Sequence, residues 1–91
     1  MRLSQEQIVK SLGAMPGWQL SSNTIRKDFV FANFTESVSF VSRTVEPANT
    51  LDHHPDIDIR YNRVTITLST HDEGGVTPKD LQLAQIIDTL V

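Results

Sequence analysis

The sequence predicts an α+β fold of order α-β-β-α-β-β-α, with three helices on one face of a four-stranded antiparallel sheet. Two observations lead to this prediction. The short segments with alternating apolar residues come in two pairs, each joined by a tight turn, and segments with helical periodicity flank both pairs. Neither pair is joined by the long crossover that parallel strands need. The 91 residues fit one domain, spanning 1–91.

The first part of the chain predicts a short helix and a hairpin. Ser4 and Gln7 match a capping box, and Gly13 can end the helix. The apolar side of this helix is expected to consist of Ile8, Val9 and Leu12. WQL and TIRKDFVF then indicate two strands around an SSN turn. The apolar face of the second strand should comprise Ile25, Phe29 and Phe31.

A second, longer helix follows, and Thr35 is predicted to cap it. Its buried stripe is expected to contain Phe34, Val38, Val41, Val45 and Ala48. Pro47 lacks a backbone donor and crowds the preceding turn, so we expect a kink or a restart there. The helix should finish near the His53-His54-Pro55 corner, because a residue before proline avoids the α region.

DIDIRY and VTITLSTH predict the second hairpin, with NR at its turn. Its inward-facing residues should be Ile57, Ile59, Tyr61, Val64, Ile66 and Leu68. After the loop DEGGV, Thr77 and Pro78 supply an N-cap and a first-turn proline for the last helix. That helix carries two apolar stripes, Leu81, Ala84, Ile87 and Val91, and beside it Leu83, Ile86 and Leu90. One sheet face needs less apolar surface than this, which predicts a contact between subunits.

Composition narrows the functional classes. Eight basic and eleven acidic residues give a net charge of −3, which argues against direct nucleic-acid binding. Without cysteine, the chain has no disulfide, no thiolate nucleophile and no zinc-thiolate site. No apolar run approaches the roughly 20 residues that cross a bilayer, so no membrane partner is expected. MRLSQEQIVK lacks the apolar core of a signal peptide, which predicts a cytoplasmic location.

All the histidines, His53, His54 and His71, lie in one segment, LDHHPDIDIRYNRVTITLSTH. Histidine titrates near neutral pH, so two imidazoles across a cleft could donate one proton and accept another. Neighbouring side chains of an extended chain point to opposite sides, which disfavours a metal site at the pair. No nucleophile elbow surrounds Ser69 or Thr70. Strand phase places His71 opposite the core face, near water. The alternative is that the histidines are structural or merely solvated.

The spacing of this segment continues beyond the histidines. HHP is followed by a tyrosine six residues beyond Pro55, a histidine ten residues after that tyrosine, and an aspartate nine further on. This pattern resembles the pterin-4a-carbinolamine dehydratases (4a-hydroxytetrahydrobiopterin dehydratases), and the resemblance covers nearly the whole chain. It implies a hydro-lyase that dehydrates 4a-hydroxytetrahydropterin to quinonoid dihydropterin in tetrahydrobiopterin recycling. It also implies that neither a metal nor an organic cofactor is needed.

The resemblance assigns roles by position. His53 and His71 would form the acid–base pair, and His54 would complete the catalytic group while binding and orienting the pterin. Trp18 would line the pocket, and Asp80, which matches the last aspartate of the family pattern, would be a further substrate-binding residue. From the residues alone, Trp18 is as readily a core residue. Asp80 also has a structural reason to be where it is, because a helix dipole favours a carboxylate in the first turn.

Asn49 departs from the family pattern, which commonly has an ionisable residue four positions before the first histidine. On a helix this spacing would place Asn49 beside His53, at the substrate site. A carboxylate there would favour the protonated imidazole. Asparagine can orient the ring but supplies no charge, so a weaker enzyme is expected.

Asn49 also keeps a second functional class open. The alternative is a non-catalytic interaction module on the same fold, acting as a dimerisation cofactor or an assembly factor. In either class, the resemblance and the excess apolar helix surface predict a homodimer or homotetramer assembled through the helices.

Overall fold

The computed structural model describes residues 2–91 and has the predicted order of elements, which confirms the α+β fold class. The helices are α1 (Gln5–Leu12), α2 (Phe34–Thr50) and α3 (Pro78–Asp88). The strands are β1 (Gln19–Ser21), β2 (Thr24–Val30), β3 (Asp56–Arg60) and β4 (Arg63–Leu68). The predicted capping box of α1 is present, with Ser4 Oγ accepting from Gln7 N–H and Gln7 Oε1 from Ser4 N–H.

The sheet is antiparallel throughout, in the order β1-β2-β4-β3. The two hairpins therefore meet where β2 pairs with β4. Ile25 lies opposite Leu68 and Phe29 opposite Val64, so the apolar residues of both strands share one face, as predicted. These four side chains are at most 5% exposed.

All three helices pack on that apolar face. Each supplies buried side chains to one core, namely Ile8 from α1, Phe40 from α2, and Leu83, Ala84 and Ile87 from α3. The ring centroid of Phe40 lies 4.9 Å from that of Phe29 and 5.0 Å from that of Phe31. The opposite face of the sheet is polar; there Thr65 Oγ1 donates a hydrogen bond to Asp28 Oδ1 at 2.7 Å. An antiparallel sheet covered on one side has this alternation.

The buried stripe of α2 differs from the predicted one. Phe34, Val38 and Val45 are 52%, 39% and 54% exposed. The buried residues are Ser37, Phe40, Thr44 and Ala48. The hydroxyls of Ser37 and Thr44 donate to carbonyls of their own helix, at 3.2 and 2.7 Å. Because their hydrogen bonds are satisfied locally, these small polar residues can face the core, and three apolar residues remain outside.

The ends of α2 also differ from the prediction. Asn33 caps the helix in place of Thr35, since its Oδ1 accepts from Glu36 N–H at 2.9 Å. The helix then continues through Pro47 to Thr50, so of the two outcomes predicted at this proline, a kink or a restart, the restart does not occur.

Some residues predicted to face the core are exposed. Tyr61 has a φ of 54° and occupies the turn between β3 and β4, one residue earlier than predicted, so its side chain is 64% exposed. Val9 and Val91 are also more than half exposed.

Candidate active site

The end of α2 fixes the position of His53. After the C-cap Leu51, Asp52 adopts a φ of 50°, in the left-handed region. The Asp52 N–H donates to Asn49 O at 3.1 Å, and the His53 N–H donates to Ala48 O at 2.9 Å. These two bonds form a Schellman motif, with aspartate at the position that glycine usually fills. Aspartate tolerates this conformation better than most residues because its side chain is short and polar.

Asp80 lies directly behind His53. His53 Nε2 and Asp80 Oδ1 are hydrogen-bonded. His53 is 9% exposed, and Asp80, in the first turn of α3, has no exposed surface. Asp80 therefore has no surface open to the cavity and can act there only through the His53 ring. The direct contact with substrate that the resemblance implies for Asp80 stays a prediction.

Two threonines hold the second oxygen of that carboxylate. Thr70 Oγ1 donates to Asp80 Oδ2 at 2.9 Å, and the Thr77 N–H donates to the same oxygen at 2.9 Å. The two hydroxyl oxygens, Thr70 Oγ1 and Thr77 Oγ1, are 2.7 Å apart. Thr77 is the N-cap of α3, as predicted. The carboxylate thus has hydrogen-bond partners on both oxygens and lies at the helix end that favours negative charge.

An open cavity of about 230 Å³ lies in front of His53. It is lined by Asp52, His53, His54, Ser69, Thr70, His71 and Asp72. The structure therefore brings all three histidines to one depression.

His71 reaches this cavity from a turn and not from a strand. Strand β4 ends at Leu68, and His71 begins a 3₁₀ turn (His71–Glu73). A hydrogen bond of 2.8 Å from the Thr70 N–H to Gly75 O closes the loop around this turn. His71 is exposed, as predicted, but the turn is the reason.

Asn49 contacts His54 and not His53. Asn49 Oδ1 lies 2.9 Å from His54 Nε2, and both residues are exposed. Because α2 ends at Thr50 and the chain reverses at Asp52, the helical i, i+4 relation does not extend to residue 53. The predicted contact between Asn49 and His53 is therefore wrong. The carboxylate beside His53 comes from α3.

Trp18 does not reach the cavity. It is 4% exposed and packs edge-on against Phe29, with ring centroids 6.2 Å apart. Its Nε1 donates to Asp88 Oδ2 at 3.0 Å, and Lys27 Nζ lies 2.8 Å from Asp88 Oδ1. Asp88 is at the opposite end of α3 from Asp80. Trp18 is thus a core residue, which is the alternative that the residues alone suggested, and it does not line this cavity as the resemblance implies.

Thr70 is the main site residue that sequence reasoning missed. The only signal is its place directly before His71. Its contact with Asp80 depends on the loop closed at Gly75, which no local pattern indicates. Within residues 2–91, no three histidine, cysteine, aspartate or glutamate side chains are grouped so that they could hold a metal ion. In the same range, no helix combines the length and apolar character that crossing a membrane requires.

Comparison with known proteins identifies the family. Residues 1–90 match the family model described as Pterin 4 alpha carbinolamine dehydratase. The chain belongs to this family. One dehydratase-family relative, from Picosynechococcus sp., is 48% identical over 89 residues, which cover 98% of this chain and 97% of the relative. Another, from Sulfolobus acidocaldarius, is 47% identical over 90 residues, covering 99% of each chain. Both carry the provisional name pterin-4-alpha-carbinolamine dehydratase.

Two solved structures share this fold. A crystal structure from Brucella melitensis, described as a transcriptional coactivator/pterin dehydratase, superposes with a TM-score of 0.94 at 35% identity. The match covers 99% of this chain and 98% of that one. A pterin dehydratase-like protein identified as a RuBisCO assembly factor in the alpha-carboxysome superposes with a TM-score of 0.65 at 20% identity, over 80% of this chain and 84% of its own. This second likeness concerns the fold alone.

Proposed function

We propose that this family member dehydrates 4a-hydroxytetrahydropterin to quinonoid dihydropterin and water, in tetrahydrobiopterin recycling in the cytoplasm. The C4a–O bond breaks, the C4a–N5 double bond forms, and N5 loses its proton. One group must therefore protonate the departing hydroxyl while another accepts the N5 proton. The observation that carries the proposal is that His53 and His71 line one open cavity in a member of this family.

The surroundings of the two histidines suit these roles. Asp80 holds the nearly buried His53 ring, so the ring is oriented before a substrate arrives. His71 is exposed and can exchange its proton with water between turnovers. His54, whose ring is oriented by Asn49, would bind the pterin at the rim.

The size of the cavity fits a small, partly exposed ligand. Its volume of about 230 Å³ lies below the ~300 Å³ at which pockets usually enclose a drug-sized ligand. The carboxylates of Asp52 and Asp72 line it and could accept hydrogen bonds from the amino and N–H groups of a pterin. A bicyclic ring would thus be held along one edge.

A rate assay tests this function. The substrate 4a-hydroxytetrahydropterin (the 4a-carbinolamine) is generated in situ, and the formation of quinonoid dihydropterin is followed. The wild type is compared with His53→Ala and His71→Ala. We expect each variant to lose about 10²-fold or more in kcat, the usual contribution of a general acid or base. Gln82→Ala, an exposed position on α3 that lines no part of the cavity, serves as the control. Equal rates in the wild type and both histidine variants would leave only a non-catalytic role.

A second candidate function is a non-catalytic oligomeric interaction module. The solved relative at 35% identity is described as both a coactivator and a pterin dehydratase, which supports keeping this class. Phe34, Val38 and Val45 form an exposed apolar stripe on α2 that could join copies of this chain. Such a stripe supports self-association through the helices, as a homodimer or homotetramer.

The mass of the particle in solution tests self-association. We expect the wild type to form a dimer or tetramer in light scattering coupled to size exclusion. Val38→Asp should shift it towards monomer, because the new charge would be buried at the contact. Thr35→Asp adds the same charge on α2 away from the stripe and should leave the mass unchanged. A monomeric wild type would refute self-association.

A further inference from the structure

A directed chain of hydrogen bonds joins the start of α3 to Asp80. Thr70 Oγ1 donates to Asp80 Oδ2 at 2.9 Å and lies 2.7 Å from Thr77 Oγ1. A hydroxyl has one hydrogen, so Thr70, which gives its own to Asp80, must accept from Thr77. The direction therefore runs from Thr77 through Thr70 to the carboxylate.

The hydrogen bonds to Asp80 also determine which nitrogen of His53 carries a hydrogen. Asp80 has no exposed surface; the Thr70 hydroxyl and the Thr77 N–H donate to it, and its remaining hydrogen-bond partner is His53 Nε2. An ionised carboxylate can only accept hydrogen bonds. His53 Nε2 must therefore carry a hydrogen in both the neutral and the protonated ring.

The other nitrogen of the ring, His53 Nδ1, is free to meet a ligand. It makes no hydrogen bond within residues 2–91. Every buried side-chain nitrogen and oxygen in that part of the chain has a partner, so Nδ1 is not buried. Because His53 lines the cavity, its accessible nitrogen is the one opposite Asp80.

We propose that Thr70 is a positioning residue, which holds Asp80 so that the His53 hydrogen stays on Nε2 and Nδ1 alone exchanges protons with the pterin. The catalytic part of this inference rests on the proposed dehydratase function. The place of the ring hydrogen is a property of the folded chain by itself.

Removal of the Thr70 hydroxyl would break two hydrogen bonds in this chain. Asp80 Oδ2 would keep only the Thr77 N–H, and the Thr77 hydroxyl would lose its acceptor. The carboxylate could then turn away from His53, and the ring hydrogen would be shared between the two nitrogens. Valine has nearly the shape of threonine, so Thr70→Val makes this change without opening the cavity wall.

The test is a pH titration of ¹⁵N-histidine-labelled protein by long-range ¹H–¹⁵N NMR, which reports the hydrogen on each ring nitrogen. In the wild type we expect His53 to lose its proton from Nδ1 and to keep the hydrogen on Nε2. Thr70→Val should give a mixture of the two neutral forms, and Thr70→Ser should restore the wild-type spectrum. Thr67→Val makes the same change on β4, on the polar face of the sheet, and should alter nothing.

Kinetics supply the catalytic readout. Thr70→Val should lower kcat by about 10-fold, the scale of one lost hydrogen bond to a charged group, while KM stays within about twofold. Thr70→Ser should recover most of that loss. Loss of the Nε2 hydrogen in the wild type, or a Thr70→Val protein with the wild-type NMR pattern, would overturn the inference. An inactive wild type with the expected NMR pattern would refute the proposed function and the catalytic role of Nδ1, and would confirm only the position of the hydrogen.

Discussion

Asp80→Asn would keep the shape of the buried side chain and reverse its contact with His53. The Thr77 N–H and the Thr70 hydroxyl both need an acceptor, so the amide oxygen would take the place of Oδ2. The amide nitrogen would then face His53 Nε2 and donate to it. The hydrogen of the neutral ring would move to Nδ1, and the nitrogen at the cavity could no longer accept a proton.

We expect kcat to fall by about 10³- to 10⁴-fold, which approaches the loss when the aspartate of a Ser-His-Asp triad becomes asparagine and fixes the wrong tautomer. Stability should fall less. Three charge-assisted hydrogen bonds become neutral ones, each weaker by about 1 kcal/mol. The smaller cost of burying a neutral amide offsets part of this loss, so we expect the free energy of unfolding to drop by about 1–2 kcal/mol.

The rate is measured with the carbinolamine generated in situ, and stability by urea denaturation. Asp88→Asn is the matched control, because Asp88 lies at the other end of α3 and accepts hydrogen bonds through both of its oxygens, from Trp18 Nε1 and Lys27 Nζ. It should lose a similar amount of stability and keep the wild-type kcat. An Asp80→Asn protein that is folded and retains kcat within about threefold of wild type would refute the reasoning.

Three further predictions follow from the contacts of single residues. His53→Ala should lower the free energy of unfolding by about 3 kcal/mol, because it leaves Oδ1 of the buried Asp80 carboxylate without a partner, whereas the exposed His71→Ala should change it by at most about 0.5 kcal/mol; equal losses in urea would contradict this. Asn49→Ala should raise the KM for the pterin by about threefold at constant kcat, since one exposed hydrogen bond to His54 is lost. Steady-state kinetics measure both constants, and a fall in kcat would contradict this prediction. Trp18→Phe should cost about 1 kcal/mol of stability in thermal unfolding and leave KM unchanged; a raised KM would place Trp18 at the pocket after all.

The features that were predicted correctly depend on short-range chemistry. The capping box at Ser4 and the N-cap at Thr77 involve residues three positions apart or less. The inward face of β4 follows from a period of two, which a strand imposes on any sequence. Local patterns of this kind determine the order of the elements, and for this chain that order was enough to give the fold class.

The incorrect predictions concern positions where the local sequence pattern points to a contact that the fold does not make. On α2, neighbouring stripes both have helical spacing, and the apolar count favours the one containing Val38. The fold buries the stripe containing Thr44, because the threonine hydroxyl bonds to its own helix. The contact between Asn49 and His54 depends on the reversal of the chain after α2. That left-handed turn occurs at Asp52, and without the usual glycine the sequence does not indicate it.

The histidine cluster alone suggested acid–base chemistry, but the roles of Asp80 and Trp18 were predictable only through the family resemblance. The spacing of the histidines and Asp80 pointed to a set of residues, but it did not say which of them touch. The partners of Asp80 come from the end of α2, the loop after β4 and the start of α3. Contacts among three elements depend on how the helices settle on the sheet, and no window of sequence contains that information.

The hydrogen bond between His53 and Asp80 spans 27 residues of sequence. During synthesis, both hairpins and α2 leave the ribosome before α3 does, so the imidazole of His53 emerges before the carboxylate that orients it. The arrangement of His53 and Asp80 would therefore form late, when α3 packs against the sheet. A chain truncated just after His71 would keep all three imidazoles but would lose Asp80 together with the core side chains of α3, and it would be a poor catalyst.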